Sequence, residues 1–199
     1  MLKAMYCLIV AGTLMLSSCA TTTLLQVWKD PAYQGTARKT VVIMVAQKTY
    51  IRNSLEDQFT AALKARGNDA HASYPLIPVD QLPDKEAVAS KIRNTGADTV
   101  LVSRLVDKKT VETYVPGRAY AAPGYYGGWG SYYGTAVSSP GYTFESQYAY
   151  IETNLYDMKT EKLIWTAKSE TEISVDDQQL IKTFVDVIID GLAADKIIK

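Results

Sequence analysis

The residue with the most specific chemical context in this sequence is Cys19. It follows Leu16, Ser17 and Ser18, so that an aliphatic side chain and two small side chains stand directly before a thiol. Small side chains allow an extended segment to enter the groove of a protease, and a thiol supplies the nucleophile for alkylation. The spacing therefore predicts a processing site at Ser18 and Cys19.

The residues before this site have the layout of a secretory signal. Lys3 gives the amino terminus a positive charge, and an apolar run from Ala4 to Met15 follows it. A basic start, a short apolar centre and small residues before a cut are typical of such signals. The run has about 12 residues, whereas a helix needs roughly 20 to cross a bilayer. We therefore expect residues 1–18 to be an export signal.

The four residues from Leu16 to Cys19 resemble the lipobox of bacterial lipoproteins. The resemblance implies that the Cys19 thiol receives a diacylglyceryl group and that a dedicated peptidase cuts between Ser18 and Cys19. Acyl chains would then hold the mature protein on a membrane. By analogy with enterobacterial sorting, Ala20 in place of aspartate favours the outer membrane, facing the periplasm. An ordinary signal cut after Ala20 is the alternative.

The mature chain fits one domain. Residues 19–23 form a short lipidated tether, and residues 24–199 are enough for a single stable core. Because Cys7 leaves with the signal and Cys19 carries lipid, we expect no disulfide in the domain. The 21 basic and 21 acidic residues balance, so the chain lacks the basic excess of a nucleic-acid-binding protein.

Few residues in the mature chain could carry catalysis. His71 is the only histidine, and no Gly-x-Ser-x-Gly motif places a serine nucleophile beside it. We expect a surface or half-buried structural role for His71. A zinc site needs several nitrogen or sulfur ligands that this chain does not offer, whereas a calcium site built from loop carboxylates stays open. No cofactor is expected.

A cluster of acids along a predicted hairpin raises one catalytic alternative. Paired carboxylates can hydrolyse glycosides, which would make the protein a hydrolase of the cell wall. These acids alternate with polar residues and have cross-strand partners such as Lys168, a pattern typical of a solvated sheet face. We therefore expect no enzyme. The acids are Glu145, Glu152, Asp157, Glu161, Glu170 and Glu172.

Hydrophobic periodicity predicts the order β-β-α-β-α-β, a long loop, then β-β-α. The two early β-α-β passages predict parallel pairs joined by right-handed crossovers, and the later hairpin is antiparallel. We predict an α+β domain, a two-layer sandwich with one mixed, twisted sheet and three helices mainly on one face. The predicted strands cover 24–28, 40–46, 70–74, 98–114, 143–157 and 162–175, and the predicted helices cover 50–66, 84–94 and 176–198.

The first predicted helix shows how its faces are assigned. Its apolar face includes Leu55 and Phe59, and the pattern assigns Arg52 and Glu56 to other, polar sides of the helix. Gly67 stands where a C-terminal cap is expected.

The predicted loop 115–142 differs in composition from the rest of the chain. It is rich in glycine, proline, serine and aromatic residues, and Arg118 is its one charged residue. Tyrosine with glycine and serine is typical of binding loops, and a low-complexity hairpin tip is the alternative. The candidate contact residues are Tyr120, Tyr125, Tyr126, Trp129, Tyr132 and Tyr133.

Aromatic residues also occur in the predicted strands. Tyr148, Tyr150 and Tyr156 share one parity, which indicates packing under helices or cover for the sheet edge. A patch continuous with the loop is the alternative. Trp28 and Trp165 are expected in the core, because tryptophan in a strand is mostly buried.

Several stretches resemble a group of poorly characterised bacterial lipoproteins, the family of domain of unknown function 4136. They are Trp28-Lys29-Asp30-Pro31, Gly96 to Val102, and Tyr156-Asp157 with Lys162 to Trp165. The β-α-β-α start also resembles periplasmic domains of the TolB amino-terminal type. The resemblance implies an envelope location, a sheet–helix fold and protein binding without catalysis. We predict a non-catalytic lipoprotein that binds an envelope protein or glycan through its loop and sheet edge.

Overall fold

The computed structural model describes residues 22–115, 142–173 and 177–199. Within these ranges, six strands form one mixed sheet in the order β1-β6-β5-β4-β2-β3. One such sheet with three helices confirms the predicted α+β class. The strands are β1 (Thr22–Lys29), β2 (Lys39–Val45), β3 (Asp69–Ala72), β4 (Thr99–Val115), β5 (Tyr142–Asp157) and β6 (Leu163–Glu172), and the helices are α1 (Thr49–Ala65), α2 (Lys85–Asn94) and α3 (Asp177–Ala194).

Strand β2 lies between two parallel neighbours, β3 and β4. Its β-branched run is buried on both faces: Val41 and Ile43 point to one side, and Val42 and Met44 to the other. A strand covered on both sides needs such a continuous apolar run. The remaining pairs, β4 with β5, β5 with β6 and β6 with β1, are antiparallel. The predicted parallel start and antiparallel hairpin are confirmed.

The helices cover the sheet unequally. Helices α1 and α3 pack on one face, which we call the covered face, where the rings of Phe59 and Phe184 meet edge to face at 5.6 Å between centroids. Helix α2 packs on the second face, with Ile92 against Val41 and Ile43. The connection from β2 to β3 moves toward one edge of the sheet, and the connection from β3 to β4 returns past β2 in the opposite direction. If both crossovers keep the same hand, their helices must lie on opposite faces.

A fully buried carboxylate links α1 to the ends of β2 and β3. Glu56 accepts hydrogen bonds from Arg52 Nε at 2.9 Å, from the backbone N–H groups of Met44, Ser73 and Tyr74, and from the Ser73 hydroxyl. Arg52 Nη2 also donates to Ser73 Oγ at 2.8 Å. The prediction that Arg52 and Glu56 lie on polar, exposed sides of the helix is wrong, because the turn after β3 folds over them.

The hairpin of β4 and β5 extends beyond the rest of the sheet. Strand β2 pairs with β4 only as far as Arg104, and β6 pairs with β5 only from Tyr148 onward. The two long strands continue to pair with each other up to Val115 and Tyr142. We call residues 107–115 and 142–150 the arm. The arm includes both ends of the segment 115–142, which the sequence predicted to be loop.

A β-bulge lies at the base of the arm. Leu105 pairs with Ile151 and Asp107 pairs with Tyr150, so Val106 is an extra residue on β4. A bulge bends its strand and increases the local twist. It also shifts the parity of β4, and beyond it Val111 lies on the same face of the ribbon as Tyr148 and Tyr150.

Candidate functional site: the arm and the uncovered sheet face

The residues that the sequence singled out most strongly lie outside the described residues. The structure therefore shows only the neighbouring elements: β1, which follows the tether, and the arm, which adjoins the predicted loop on both sides. The residues outside the described ranges are Ser18, Cys19, Tyr120, Tyr125, Tyr126, Trp129, Tyr132 and Tyr133.

The part of the second face that α2 does not cover is polar. One row of side chains crosses four strands, running from Gln26 through Lys168 and Glu152 to Arg104. Arg104 donates to Glu152 Oε2 from Nη2 at 2.7 Å and from Nε at 3.1 Å. Burial alone would raise the pKa of Glu152, but hydrogen bonds from Arg104 and Asn154, with the charges of Arg104 and Lys168, lower it. Lys168, expected as a cross-strand partner of these acids, stands opposite Glu152.

The other acids of the hairpin also have partners, apart from Glu145. Asp157 accepts from the hydroxyl and the backbone N–H of Thr160, both at 2.7 Å. These bonds, with a backbone bond from Lys159, lower the pKa of Asp157 against the opposing effect of its burial. The remaining pairs are Glu161 with Arg93, Glu170 with Tyr150 and Glu172 with Ser146, while Glu145 stands opposite Glu112.

Tyr148 and Tyr150 lie on the uncovered face, the part of the second face that α2 does not cover. The Tyr150 hydroxyl donates to Glu170, which together with burial raises the pKa of this tyrosine, and Lys109 Nζ lies 5.0 Å from its ring centroid. Tyr150 and Tyr148 are half-buried and lie outside both hydrophobic clusters, so the expected packing under helices is wrong for them. Both residues lie at the base of the arm, beside the polar row on this face. Tyr156, further along, lines a groove beside α2.

The two strand tryptophans differ in environment. Trp165 is fully buried, as predicted, and its Nε1–H donates to Asp195 at 2.8 Å. Trp28 is 45% exposed, so the prediction that it lies in the core is wrong. It stands opposite Thr166 on β1, one of the two edge strands, and no helix of the described residues covers that side of the sheet there.

The arm ends in exposed aromatic residues. Tyr142 and Phe144 lie on one face of the ribbon with their ring centroids 6.3 Å apart, and Tyr114 lies on the other face. The exposed fractions are 63% for Tyr142, 43% for Phe144 and 65% for Tyr114. Exposed apolar groups gathered in one region of a surface indicate an interaction site. The described structure therefore offers two candidate binding elements, the arm and the edge strand β1 with its exposed Trp28.

A groove between α2 and the second face was not anticipated from the sequence. It encloses about 380 Å³. Val88 and Ile92 of α2 and Val100 and Val102 of β4 form its apolar walls, with Tyr156 at one side. The local sequence carries the apolar residues but cannot say which face of the sheet α2 covers, and that choice creates the groove.

His71 is exposed and lies 3.0 Å from a carboxylate oxygen of Asp69, through Nε2. In the part of the chain that the structure describes, no three His, Cys, Asp or Glu residues are grouped closely enough to hold a metal ion. Across the same residues, no helix combines the length and the apolar character required to span a membrane.

Neither a protein-family model nor a curated protein matches the sequence. Among solved structures, the chain is similar to the PelC dodecamer from Paraburkholderia phytofirmans, at 15% identity and a TM-score of 0.45, over 86% of this chain and 95% of that one. It is also similar to lipoprotein GNA1162 from Neisseria meningitidis, at 13% identity and a TM-score of 0.45, over 79% of this chain and 99% of that one. Likeness at this level supports no conclusion about function, and the resemblance to domain of unknown function 4136 stays a prediction.

Proposed function

We propose that this chain is a non-catalytic lipoprotein of the bacterial envelope that binds another envelope protein along the free edge of β1. The observation that carries the proposal is the character of that edge. Within the residues that the structure describes, β1 pairs with β6 alone, and no strand pairs with its other side from Thr22 to Lys29.

The open edge lacks the usual protection against pairing. Edge strands commonly carry charges or proline, which keep other strands from adding to them. In β1 the one charged residue is Lys29, and its Nζ is bound to the Asp195 carbonyl at 2.8 Å. Leu25, Val27 and Trp28 are exposed beside the edge. A partner strand could add here through backbone hydrogen bonds, with these side chains giving specificity.

The state of the acids favours binding over the alternative, a cell-wall hydrolase. A glycosidase needs two carboxylates that face each other across a substrate, one of them with a raised pKa. Glu152 and Asp157 have lowered pKa values and are bound to Arg104 and Thr160. Such carboxylates stay ionised and engaged, which suits a structural role.

The location follows from the lipobox. Cys19 stands three residues before Thr22, where β1 begins. A lipid on Cys19 would keep the β1 edge close to a membrane, within reach of other envelope proteins. The partner we expect is therefore a protein in or at that membrane, with an unpaired strand or an extended segment.

Site-directed photo-cross-linking in intact cells tests the proposal. A photoreactive residue replaces Trp28 on β1, and a control replaces the exposed Gln58 on α1. We expect a discrete adduct from position 28 only. Adding Leu25→Lys should remove the adduct, because a charge beside the edge opposes strand addition.

The matched control for Leu25→Lys is Val45→Lys, which adds the same charge at an exposed apolar residue of an internal strand. The adduct should survive that change. An adduct that persists in Leu25→Lys, or that forms equally well from position 58, contradicts binding at the β1 edge. A mature chain whose mass shows no lipid on Cys19 contradicts the lipid anchor.

A further inference from the structure

We propose that the tip of the arm enters the lipid–water interface of the membrane that holds the lipid on Cys19. The tip comprises the last three cross-strand pairs, Thr113 with Phe144, Tyr114 with Thr143, and Val115 with Tyr142. This inference rests on the lipid anchor of the proposed function, and it gives the protein a second contact with the bilayer.

The first step is the position of the anchor. The Thr22 side chain is buried, and its hydroxyl forms a hydrogen bond of 3.0 Å with that of Thr171, so the start of β1 is fixed to the sheet. Only Ala20 and Thr21 separate Thr22 from Cys19. Three residues of extended chain span at most about 11 Å. The lipid must therefore attach close to this end of β1.

The second step is the direction of the arm. Thr22 pairs with Thr171, Thr171 with Ala149, and Ala149 with Lys108, so these residues stand at one level across four strands. From that level the arm continues for seven more pairs, up to Val115. At about 3.3 Å per residue this is roughly 23 Å. The arm extends from the end of the sheet where the tether leaves, and it is longer than the tether.

The third step is the composition of the tip. Its three pairs contain no charged residue, and they expose the rings of Tyr114, Tyr142 and Phe144. Tyrosine is favoured at membrane interfaces, where its ring meets apolar groups and its hydroxyl meets water. Three pairs measure about 10 Å along the strands, and the segment 116–141, whose one charged residue is Arg118, follows them in the sequence.

Two charged residues indicate how deeply the tip enters the membrane. The pair directly below the tip is Glu112 with Glu145, two exposed carboxylates on the same face of the ribbon. Carboxylates must stay in water, so the membrane surface would lie between this pair and the tip. Among the described residues, no further strand pairs with the outer backbone groups of the tip. They can be hydrated at the interface but not in the hydrocarbon core, so we place the tip in the interface and do not have it cross the bilayer.

The distribution of rings favours a bilayer over a protein as the occupant. Tyr142 and Phe144 lie on one face of the ribbon, and Tyr114 lies on the other. A protein that binds a ribbon would cover one face, leaving the ring on the opposite face in water. A lipid interface surrounds the tip and takes up the rings of both faces.

Site-specific fluorescence in vesicles tests the inference. The lipidated protein, purified from membranes, is reconstituted into vesicles of phosphatidylethanolamine and phosphatidylglycerol. Because Cys19 is then a thioether, a cysteine introduced by Phe144→Cys is the one free thiol of the mature chain and can carry a polarity-sensitive dye. Ser54→Cys, at an exposed position of α1, is the matched control. We expect a blue-shifted dye at 144, quenched by lipid-borne nitroxides, and an unquenched dye at 54.

The outcomes separate the two proposals. If the protein carries lipid by mass spectrometry and floats with the vesicles while the dye at 144 stays in water, the tip inference is overturned and the anchor stands. If the protein carries no lipid, the anchor and the tip inference both fail. Shielding of the dye in native envelopes but not in pure lipid vesicles would also overturn the inference, in favour of a protein contact.

A second measurement uses the chain without its lipid. Cys19→Ala protein made without the signal 1–18 should bind the same vesicles weakly in flotation. Tyr114→Ser, Tyr142→Ser and Phe144→Ser together should reduce that binding roughly tenfold or more, because three interfacial rings are lost. The control combines Val45→Ser, Leu105→Ser and Val106→Ser, three exposed apolar residues away from the tip. Equal losses in both triple variants would contradict a specific role for the tip.

Discussion

Strand β4 belongs to two regions with different surroundings. From Thr99 to Ser103 it lies between β2 and β5, and its side chains pack against hydrophobic clusters on both faces of the sheet. From Arg104 to Tyr114 every side chain is exposed, and beyond Arg104 its one neighbouring strand is β5. Two strands alone are marginally stable. Beyond Tyr148 the arm is a ribbon of two strands, and this outer part therefore depends on the body of the sheet for its order.

The contrast extends to polar groups. In the body, Glu56 and Arg52 are buried and bind one another and the backbone, so they stabilise the fold. In the arm, Lys108, Glu112 and Glu145 face solvent. Substitutions in the body should change the free energy of unfolding, and substitutions in the arm should change what the protein binds.

The strongest test of this contrast is Glu56→Ala. The variant leaves the buried Arg52 guanidinium without its carboxylate, and breaking a buried ion pair from one side costs about 3–5 kcal/mol in the free energy of unfolding. Urea denaturation followed by circular dichroism measures the loss. Gln58→Ala, at an exposed position of the same helix, should stay within about 0.5 kcal/mol of the parent chain. Similar losses in the two variants would remove the distinction.

The two strand tryptophans give the next largest effect. Trp165→Phe removes a hydrogen bond to Asp195 and leaves a small void in the core, which we expect to cost about 2 kcal/mol. Trp28→Phe, at a half-exposed position of the edge strand, should cost no more than about 0.5 kcal/mol. The denaturation midpoints of the two single variants measure this difference. A larger loss in Trp28→Phe would mean that the edge of β1 is packed in the protein in solution.

Acid should weaken the fold partly through Glu152. Because the folded-state pKa of Glu152 is lowered, its ionised form stabilises the fold above the ordinary carboxyl pKa, and this contribution is lost as the pH falls through the lower folded value. Since Arg104 is more than half exposed, the contribution is no more than about 1 kcal/mol. Glu152→Gln should flatten the acid limb of a stability–pH profile. Arg104→Gln should do the same, and the double variant should add little.

The smallest expected effect is a local gain in the arm. Glu112 and Glu145 stand directly opposite each other, and like charges in that position destabilise a ribbon. Glu112→Lys should slow amide exchange in the arm by roughly twofold to fivefold, since a favourable cross-strand pair contributes about 0.2–1 kcal/mol. Glu112→Gln relieves the repulsion without adding an attraction, so its amide exchange rate should lie between those of the parent chain and Glu112→Lys. Unchanged exchange in both variants would show that the arm opens independently of this pair.

Element positions were predictable where local chemistry decides them. The β-branched run of β2 marked a strand buried on both faces, Asp84 accepts from Ala87 N–H as the N-cap of α2, and Gly67 and Gly96 follow α1 and α2 with positive φ. Helix α3 ends at Ala194, earlier than the predicted Ile198. The chain turns there so that Ile197 and its neighbour Ile198 reach the core.

The environments that the sequence did not predict depend on residues that are close in space but distant in sequence. Trp28 is exposed because its strand lies at an edge, and strand order cannot be obtained from the pattern of one strand. Glu56 is buried because the turn after β3 supplies donors that are remote in sequence. The surface proposed for binding was only half predictable from the sequence. Composition drew attention to the aromatic segment but could not reveal that the arm extends from the end of the sheet where β1 begins.

The bulge at Val106 affects the direction of the arm but not the residues that the arm exposes. Because Leu105 already pairs with Ile151 and Asp107 with Tyr150, deleting Val106 would restore regular alternation and leave every cross-strand pair of the arm as it is. The deletion would change only the bend and twist at the base. The same aromatic rings, on the same faces, would then be aimed elsewhere. If aim relative to the anchor determines what the tip reaches, this one-residue deletion should abolish its contacts without altering its chemistry.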